Sequence, residues 1–157
     1  MTGKELLKTI KRERLKIERI KKEHQEEEKY FQVLRGLDYD HAPVSGGRVS
    51  TLDDVLERQE AERAKYARRL ACVYDSYLGH LNDAWAVALE MTVHGNSDAT
   101  IGMRFFREGE TFKQAASRTG YSLSGMKMLV YRFMDQFEVA YQSHCDSDGV
   151  FHAPKSL

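Results

Sequence analysis

The sequence has little proline and little cysteine. Two of its 157 residues are proline and two are cysteine, whereas 31% are charged. This composition favours long solvated helices over a β-sandwich or barrel. Cys72 and Cys145 lie far apart without Cys-x-x-Cys spacing, so we expect reduced thiols rather than a disulfide framework. Cys72 lies among apolar residues of a predicted helix, and we expect it to be buried.

Long hydrophobic runs and catalytic patterns are also missing. No apolar run approaches the roughly 20 residues that span a bilayer, and no signal-peptide core precedes the charged start. We therefore expect a cytoplasmic protein with no membrane partner. No nucleophile triad, phosphate-binding loop or carboxylate pair stands out, so we expect no enzyme, cofactor or small-molecule substrate. His144, Cys145 and His152 fall short of a closed tetrahedral zinc set, and we expect no metal site.

The chain has no net charge, with 24 basic and 24 acidic side chains. This balance weakens the case for nucleic-acid binding from overall charge. Residues 1–35 carry 11 basic and 7 acidic side chains, and residues 97–137 carry 6 and 4. Because phosphate neutralisation supplies most non-specific affinity, such modest excesses predict weak DNA binding by a single chain.

Residues 4–35 contain no glycine or proline and predict a long helix with a thin apolar seam. The seam consists of Leu6, Ile10, Ile17, Ile20, Phe31 and Leu34, with Glu13, His24 and Glu27 in the turns between. Such a stripe cannot hold a helix alone in water, so it requires a partner helix. The basic run within it is expected to form a solvated outer face.

A loop and a second long helix follow. Residues 36–50 combine an internal proline with a glycine pair, which indicates a loop. Ser50 and Asp53 form a predicted capping box for the second helix. Its predicted seam is Leu52, Leu56, Tyr66, Leu70, Val73, Tyr77, Leu81, Ala84 and Met91, interrupted at Gln59 and Arg63. We predict an antiparallel, coiled-coil-like hairpin over residues 1–92 for oligomerisation or partner binding, and the alternative is pairing between two copies.

Residues 97–142 show the rhythm of a helix-turn-helix. Ser97 or Asp98 is expected to cap a first helix that ends near Arg107. Thr111 and Gln114 form a predicted capping box for a short helix, which ends at a left-handed Gly120. Ser122 is expected to cap the last helix, whose apolar face is Met126, Val130, Phe133, Met134 and Phe137. The polar residues 143–157 are expected to form a frayed, flexible tail.

The stretch FFREGETFKQAASRTGYSLSGMKMLVYRFM is similar to region four of primary-type sigma factors. The whole layout resembles the ArpU/RinA group of phage late-gene transcriptional regulators, including a Tyr39-Asp40 and Gly46-Gly47 loop after the first helix. The resemblance implies an all-α protein, with a helical hairpin before a sigma-region-four-like helix-turn-helix, that regulates phage or prophage late genes. Two departures are Gly125, where a helix former is common, and Leu129, where a basic residue is common. Gly125 could admit a phosphate or could simply weaken the first turn.

The pattern predicts contacts with double-stranded DNA from both helices of the motif. The predicted contact residues are Lys113, Arg118, Ser122, Ser124, Lys127, Met128, Tyr131 and Arg132. The alternative is that these are ordinary surface residues. A homo-oligomer, or RNA polymerase as a co-binder, would compensate for the few cations. Two rival functions are a phage small terminase subunit and an interaction module that binds RNA polymerase or a host factor.

Overall fold

The computed structural model describes residues 1–36 and 51–153, and those residues form five α-helices. In chain order these are α1 (Gly3–Arg35), α2 (Leu52–Val93), α3 (Asp98–Arg107), α4 (Phe112–Thr119) and α5 (Leu123–Ser143). An isolated antiparallel bridge joins Cys145 and Phe151. For the described residues, the predicted all-α class is confirmed. None of the helices described is both long enough and apolar enough to cross a membrane.

The chain divides into two compact units. One unit combines residues 1–15 with residues 75–157, and the other contains Lys16–Tyr74. The long helices α1 and α2 each contribute one part to each unit. The predicted boundaries at 1–92, 97–142 and 143–157 stay a prediction. The predicted loop of residues 36–50 lies, from residue 37 onward, outside the described residues.

In the unit formed by residues 16–74, later positions of α1 contact earlier positions of α2. Arg63 Nε and Nη2 donate to the two carboxylate oxygens of Glu28 at 2.8 and 2.9 Å. Nearer the middle of both helices, Arg69 Nη2 donates to Glu23 at 3.1 Å. Because the residue numbers rise in one helix as they fall in the other, the two segments run in opposite directions. Among the described residues of this unit, the buried apolar side chains are Ile17, Ile20, Phe31 and Val55.

The start of the α2 seam differs from its prediction. Leu52 and Leu56 are 47% and 38% exposed, whereas Val55 and Gln59 are buried. Gln59 can turn inward because its Nε2 donates to Glu28 Oε2 at 2.9 Å, which satisfies the buried amide. The prediction that Gln59 interrupts the seam was therefore wrong, since a hydrogen bond across the helices lets this polar residue take a seam position.

Two other local features of α2 bear on the predictions. The helix begins after Thr51, whose Oγ1 accepts from the Asp54 amide at 3.2 Å while Asp54 Oδ2 accepts from the Thr51 amide at 2.9 Å. The predicted partner Ser50 lies outside the described residues, so its pairing with Asp53 stays a prediction. The prediction that Cys72 is buried was wrong, because this position lies on the exposed side of the helix.

In the unit of residues 1–15 and 75–157, α3 and α4 both pack against α5. The largest fully buried side chains of this core are Leu6, Leu7, Ile10, Val87, Met103, Met126, Val130, Phe133 and Phe137. α1 begins directly on α5, where the amide of Lys4 donates to Glu138 Oε2 at 2.7 Å. Beside it, a Cβ added to Gly3 would lie 2.8 Å from the Tyr141 Cβ. Only glycine therefore fits where α1 meets α5.

The start of α3 corrects another prediction. Neither Ser97 nor Asp98 caps the helix; Asn96 Oδ1 accepts from the Asp98 amide at 3.1 Å. Ser97 already has helical backbone angles, φ −64° and ψ −24°, and its side chain makes no capping hydrogen bond. Ser97 thus stands at the predicted position, but the side chain that accepts the hydrogen bond is that of Asn96.

Residues 144–153 form a closed turn that the polar composition did not predict. Asp146 Oδ1 accepts from the amides of Asp148 at 3.0 Å and Val150 at 2.9 Å. The Phe151 ring stacks on Tyr141, with 4.7 Å between ring centroids. Residues 144–153 thus make local hydrogen bonds and a ring contact, the flexibility of the tail stays a prediction, and residues 154–157 lie outside the described residues.

Candidate functional site

The connection between α4 and α5 follows the predicted capping signals. Thr111 accepts from the Gln114 amide at 3.3 Å, and Gln114 Oε1 accepts from the Thr111 amide at 2.8 Å. Gly120 ends α4 in the left-handed region, with φ +76°. Ser122 Oγ accepts from the Gly125 amide at 3.0 Å and begins α5. The predicted capping box, glycine stop and serine cap are all confirmed.

The turn before α4 is held by one side chain of α1 and one of α4. Lys11 Nζ of α1 donates to the carbonyl oxygen of Glu110 at 2.5 Å and lies 3.7 Å from the Phe105 ring centroid. Burial lowers the pKa of Lys11. Arg118 of α4 closes the turn with two hydrogen bonds to the Glu110 carboxylate, at 2.7 and 2.9 Å. α1 therefore helps to fix the position at which α4 begins.

α5 has one buried face and one exposed face. The buried side chains are Met126, Leu129, Val130, Phe133, Phe137 and Tyr141. The predicted core residue Met134 is partly buried, and Leu129 is only 4% exposed. A basic residue at position 129 would place its charge among these apolar groups. Leu129 thus serves the packing of α5.

The exposed face of α5 carries most of the predicted DNA contacts. Ser124, Lys127, Met128, Tyr131 and Arg132 are all exposed, and Met128 is 70% exposed. They lie within three turns of the capped end of the helix. Ser122 belongs to the same end, but its oxygen already accepts the capping hydrogen bond, so its hydroxyl hydrogen is what remains to donate. The sequence prediction thus grouped residues that share one surface.

The two predicted arginine contacts are engaged within the chain. Arg132 forms an ion pair with Asp98 of α3, and Arg118 forms the pair with Glu110. Hydrogen bonding to Glu110 raises the pKa of Arg118, which keeps it cationic. The partner of Arg132 could not be predicted locally, since Asp98 is 34 residues away in the chain.

The two predicted lysine contacts, Lys113 on α4 and Lys127 on α5, are exposed, and neither forms an ion pair with any residue that the structure describes. All four carboxylates of residues 97–137 are paired, in contrast. The pairs are Asp98 with Arg132, Glu108 with Arg107, Glu110 with Arg118, and Asp135 with Lys4 of α1. The small excess of positive charge in residues 97–137 therefore lies on side chains that have no ion-pair partner among the described residues, and these include Lys113 and Lys127.

Gly125 lies in the first turn of α5, beside the capping serine. A Cβ added there would lie 3.1 Å from Ser122 Oγ, closer than most such contacts. Glycine at this position therefore leaves the capping oxygen undisturbed, and the cost is about 1 kcal/mol of helix propensity relative to alanine. This packing reason differs from both explanations that the sequence allowed, and access of a phosphate stays untested.

Each histidine of the C-terminal turn lies beside a carboxylate and not beside the other histidine. His144 Nε2 lies 2.6 Å from Glu90 Oε2, and His152 Nε2 lies 3.0 Å from Asp146 Oδ2. Among residues 1–36 and 51–153, no three His, Cys, Asp or Glu side chains come together as metal ligands.

Comparisons of this chain with models of protein families, with curated proteins and with solved structures find no significant match in any of the three.

Proposed function

We propose that this protein binds double-stranded DNA in a sequence-specific way and regulates transcription, with α4 and α5 acting as a helix-turn-helix. The observation that carries the proposal is the connection between the two helices. Three residues, including a left-handed Gly120 and the capping Ser122, separate the end of α4 from the start of α5, and the first three turns of α5 expose one continuous face of polar and apolar side chains. A helix of this kind fits the major groove by its N-terminal residues.

The charges of the motif suggest separate roles for its cations. Lys113 and Lys127 carry the charge that would meet phosphates, because no carboxylate among the described residues neutralises either one. Arg132 and Arg118 instead join α5 to α3 and α4 to its preceding turn. We propose that these arginines position the helices and that the lysines supply phosphate contacts.

The resemblance to ArpU/RinA regulators supports a more specific proposal. On this view α1 and α2 form the helical hairpin, the sigma-region-four-like motif follows it, and the targets are late genes of a phage or prophage. The hairpin would bring two copies of the motif together, or RNA polymerase would bind beside it. Either arrangement would offset the weak DNA binding expected of two free lysines.

The test begins with selection of bound fragments from phage and host genomic DNA by the full-length protein. For the selected site, the dissociation constant is then measured over a range of salt concentrations. We expect Lys127→Ala and Lys113→Ala each to weaken binding and to reduce the slope of log K against log salt by about 0.9, which corresponds to one phosphate contact. Lys29→Ala, which removes an exposed lysine of α1, is the matched control and should leave the slope unchanged.

Lysine variants are preferable to Arg132→Ala in this experiment. Loss of Arg132 also leaves Asp98 without its ion-pair partner, so weaker DNA binding could reflect a displaced α5. Wild-type slopes retained in both lysine variants would disprove the lysine assignment. Failure of the wild-type protein to select any fragment would disprove DNA binding and favour the interaction module.

A further inference from the structure

The centre of the exposed face of α5 is apolar. At about 100° per residue, Ser124, Met128 and Tyr131 fall along one line of the helix, and Lys127 and Arg132 lie on either side of it. Met128 is 70% exposed and Tyr131 is 57% exposed. A large apolar side chain thus lies on the side of α5 that faces away from the core.

The same turns lack the side chains that usually distinguish bases by paired hydrogen bonds. Arginine pairs with guanine and asparagine or glutamine with adenine, but positions 122–131 contain none of the three. Lys127 could reach a guanine, whereas Arg132 forms an ion pair with Asp98. Met128 has no hydrogen to donate. In the major groove, the base feature that an apolar side chain can recognise is the 5-methyl group of thymine.

We propose that Met128 recognises the 5-methyl group of thymine, so that the DNA site of this protein carries thymine at the base pair that faces the second turn of α5. This inference rests on the proposed DNA-binding function. The methionine side chain suits the role because it is unbranched and flexible and can follow a methyl group in the groove. The neighbouring Ser124 hydroxyl can pair with any base and adds little discrimination.

The test replaces thymine by deoxyuracil at single positions of a selected fragment. This change removes the methyl group and leaves the hydrogen-bonding pattern of the base intact. For the wild-type protein we expect binding to weaken about fourfold at the recognised position, as for one buried methyl group. Deoxyuracil at positions of the same fragment that the bound protein does not cover serves as the DNA control.

Protein variants then show whether Met128 is the residue involved. Met128→Ala should bind thymine and deoxyuracil fragments equally well, whereas Met128→Leu should keep a preference for thymine. Val139→Ala, which shortens another exposed side chain of α5, should behave as the wild type does. Because Met128 is so exposed, we expect circular dichroism to show unchanged helix content in its variants.

The outcomes separate this inference from the proposed function. DNA binding that is indifferent to deoxyuracil at every position overturns the inference and leaves the function standing. A loss of the same size in wild type and Met128→Ala also overturns it, since the methyl group would then act through DNA shape. If the wild type selects no DNA at all, the proposed function fails and the inference fails with it.

Discussion

Gly102 allows α3 to lie directly against the Phe133 ring of α5. A Cβ at this position would overlap the ring, and Phe133 is fully buried, so the ring has no open space to move into. We therefore expect Gly102→Ala to lower the free energy of unfolding by about 1–3 kcal/mol, the usual cost of overpacking a core. Urea unfolding followed by circular dichroism measures this change.

Gly79 provides the matched control at the same scale. It lies inside α2, and a Cβ added there meets no atom within 4 Å among the described residues. Gly79→Ala should raise the free energy of unfolding by up to about 1 kcal/mol, because alanine is the better helix former. Equal shifts in the two variants would mean that the Gly102 contact with Phe133 contributes nothing.

At the scale of helices, Glu28 joins α1 to α2. Hydrogen bonds from Arg63, with a further one from Gln59, lower the pKa of Glu28 from 4.5 to about 2. A depressed carboxyl pKa contributes stability that is complete above the unfolded-state value and is lost as pH falls towards the folded-state value. This contribution should therefore disappear between about pH 5 and pH 2.

We expect Glu28→Gln to lower the free energy of unfolding at pH 7 by about 0.5–1 kcal/mol, since the carboxylate is partly screened by water. At pH 3 the difference from wild type should be less than half as large, because the unfolded wild-type carboxyl is then protonated. Urea titrations at the two pH values measure both differences. Glu57→Gln, at an exposed position of α2, is the control, and a Glu28→Gln effect independent of pH would contradict the assignment.

Helix ends were predictable where their signals are local. Thr111 and Gln114, like Ser122 and its amide partner at Gly125, lie three residues apart, so the sequence contains both members of each interaction. The α2 seam was not predictable in this way, because Leu52 and Leu56 have the same helical spacing as Val55 and Gln59. Gln59 faces inward because it donates a hydrogen bond to Glu28, which is 31 residues away in the chain.

In the candidate site too, features that depend on nearby residues were predictable, and contacts between residues far apart in the chain were not. Periodicity alone grouped the exposed residues of α5 on one face. It could not show that the arginines are already paired, since Asp98 reaches Arg132 only after α3 packs on α5. Nor does any local pattern connect Lys11 with the carbonyl of Glu110, which is 99 residues away.

At the scale of the whole molecule, α2 exposes large apolar side chains, and we expect a second copy to cover them. Leu78 and Leu89 are 39% and 52% exposed, and the partly buried Trp85 lies on the same face between them. We expect light scattering to give the mass of a dimer. Leu89→Glu should shift the protein towards monomer at the same concentration, because a charge would replace an apolar contact.

Val139→Glu is the control for this experiment, since Val139 is 71% exposed on α5, outside the α2 face. It should leave the dimer intact. A monomeric wild type would contradict pairing through α2. A ring-like mass would favour the small terminase subunit over the transcriptional regulator.

The unit that contains α4 and α5 is assembled from two separate stretches of chain, with residues 16–74 between them. During translation, the first turns of α1 therefore leave the ribosome long before α5, against which Gly3 and Lys4 pack. Leu6, Leu7 and Ile10, which are fully buried in the finished protein, stay exposed on the nascent chain for that interval. Residues 16–74 group together by their contacts with one another, so we expect them to fold earlier. We therefore expect nascent chains to offer the start of α1 to chaperones until α5 has been synthesised.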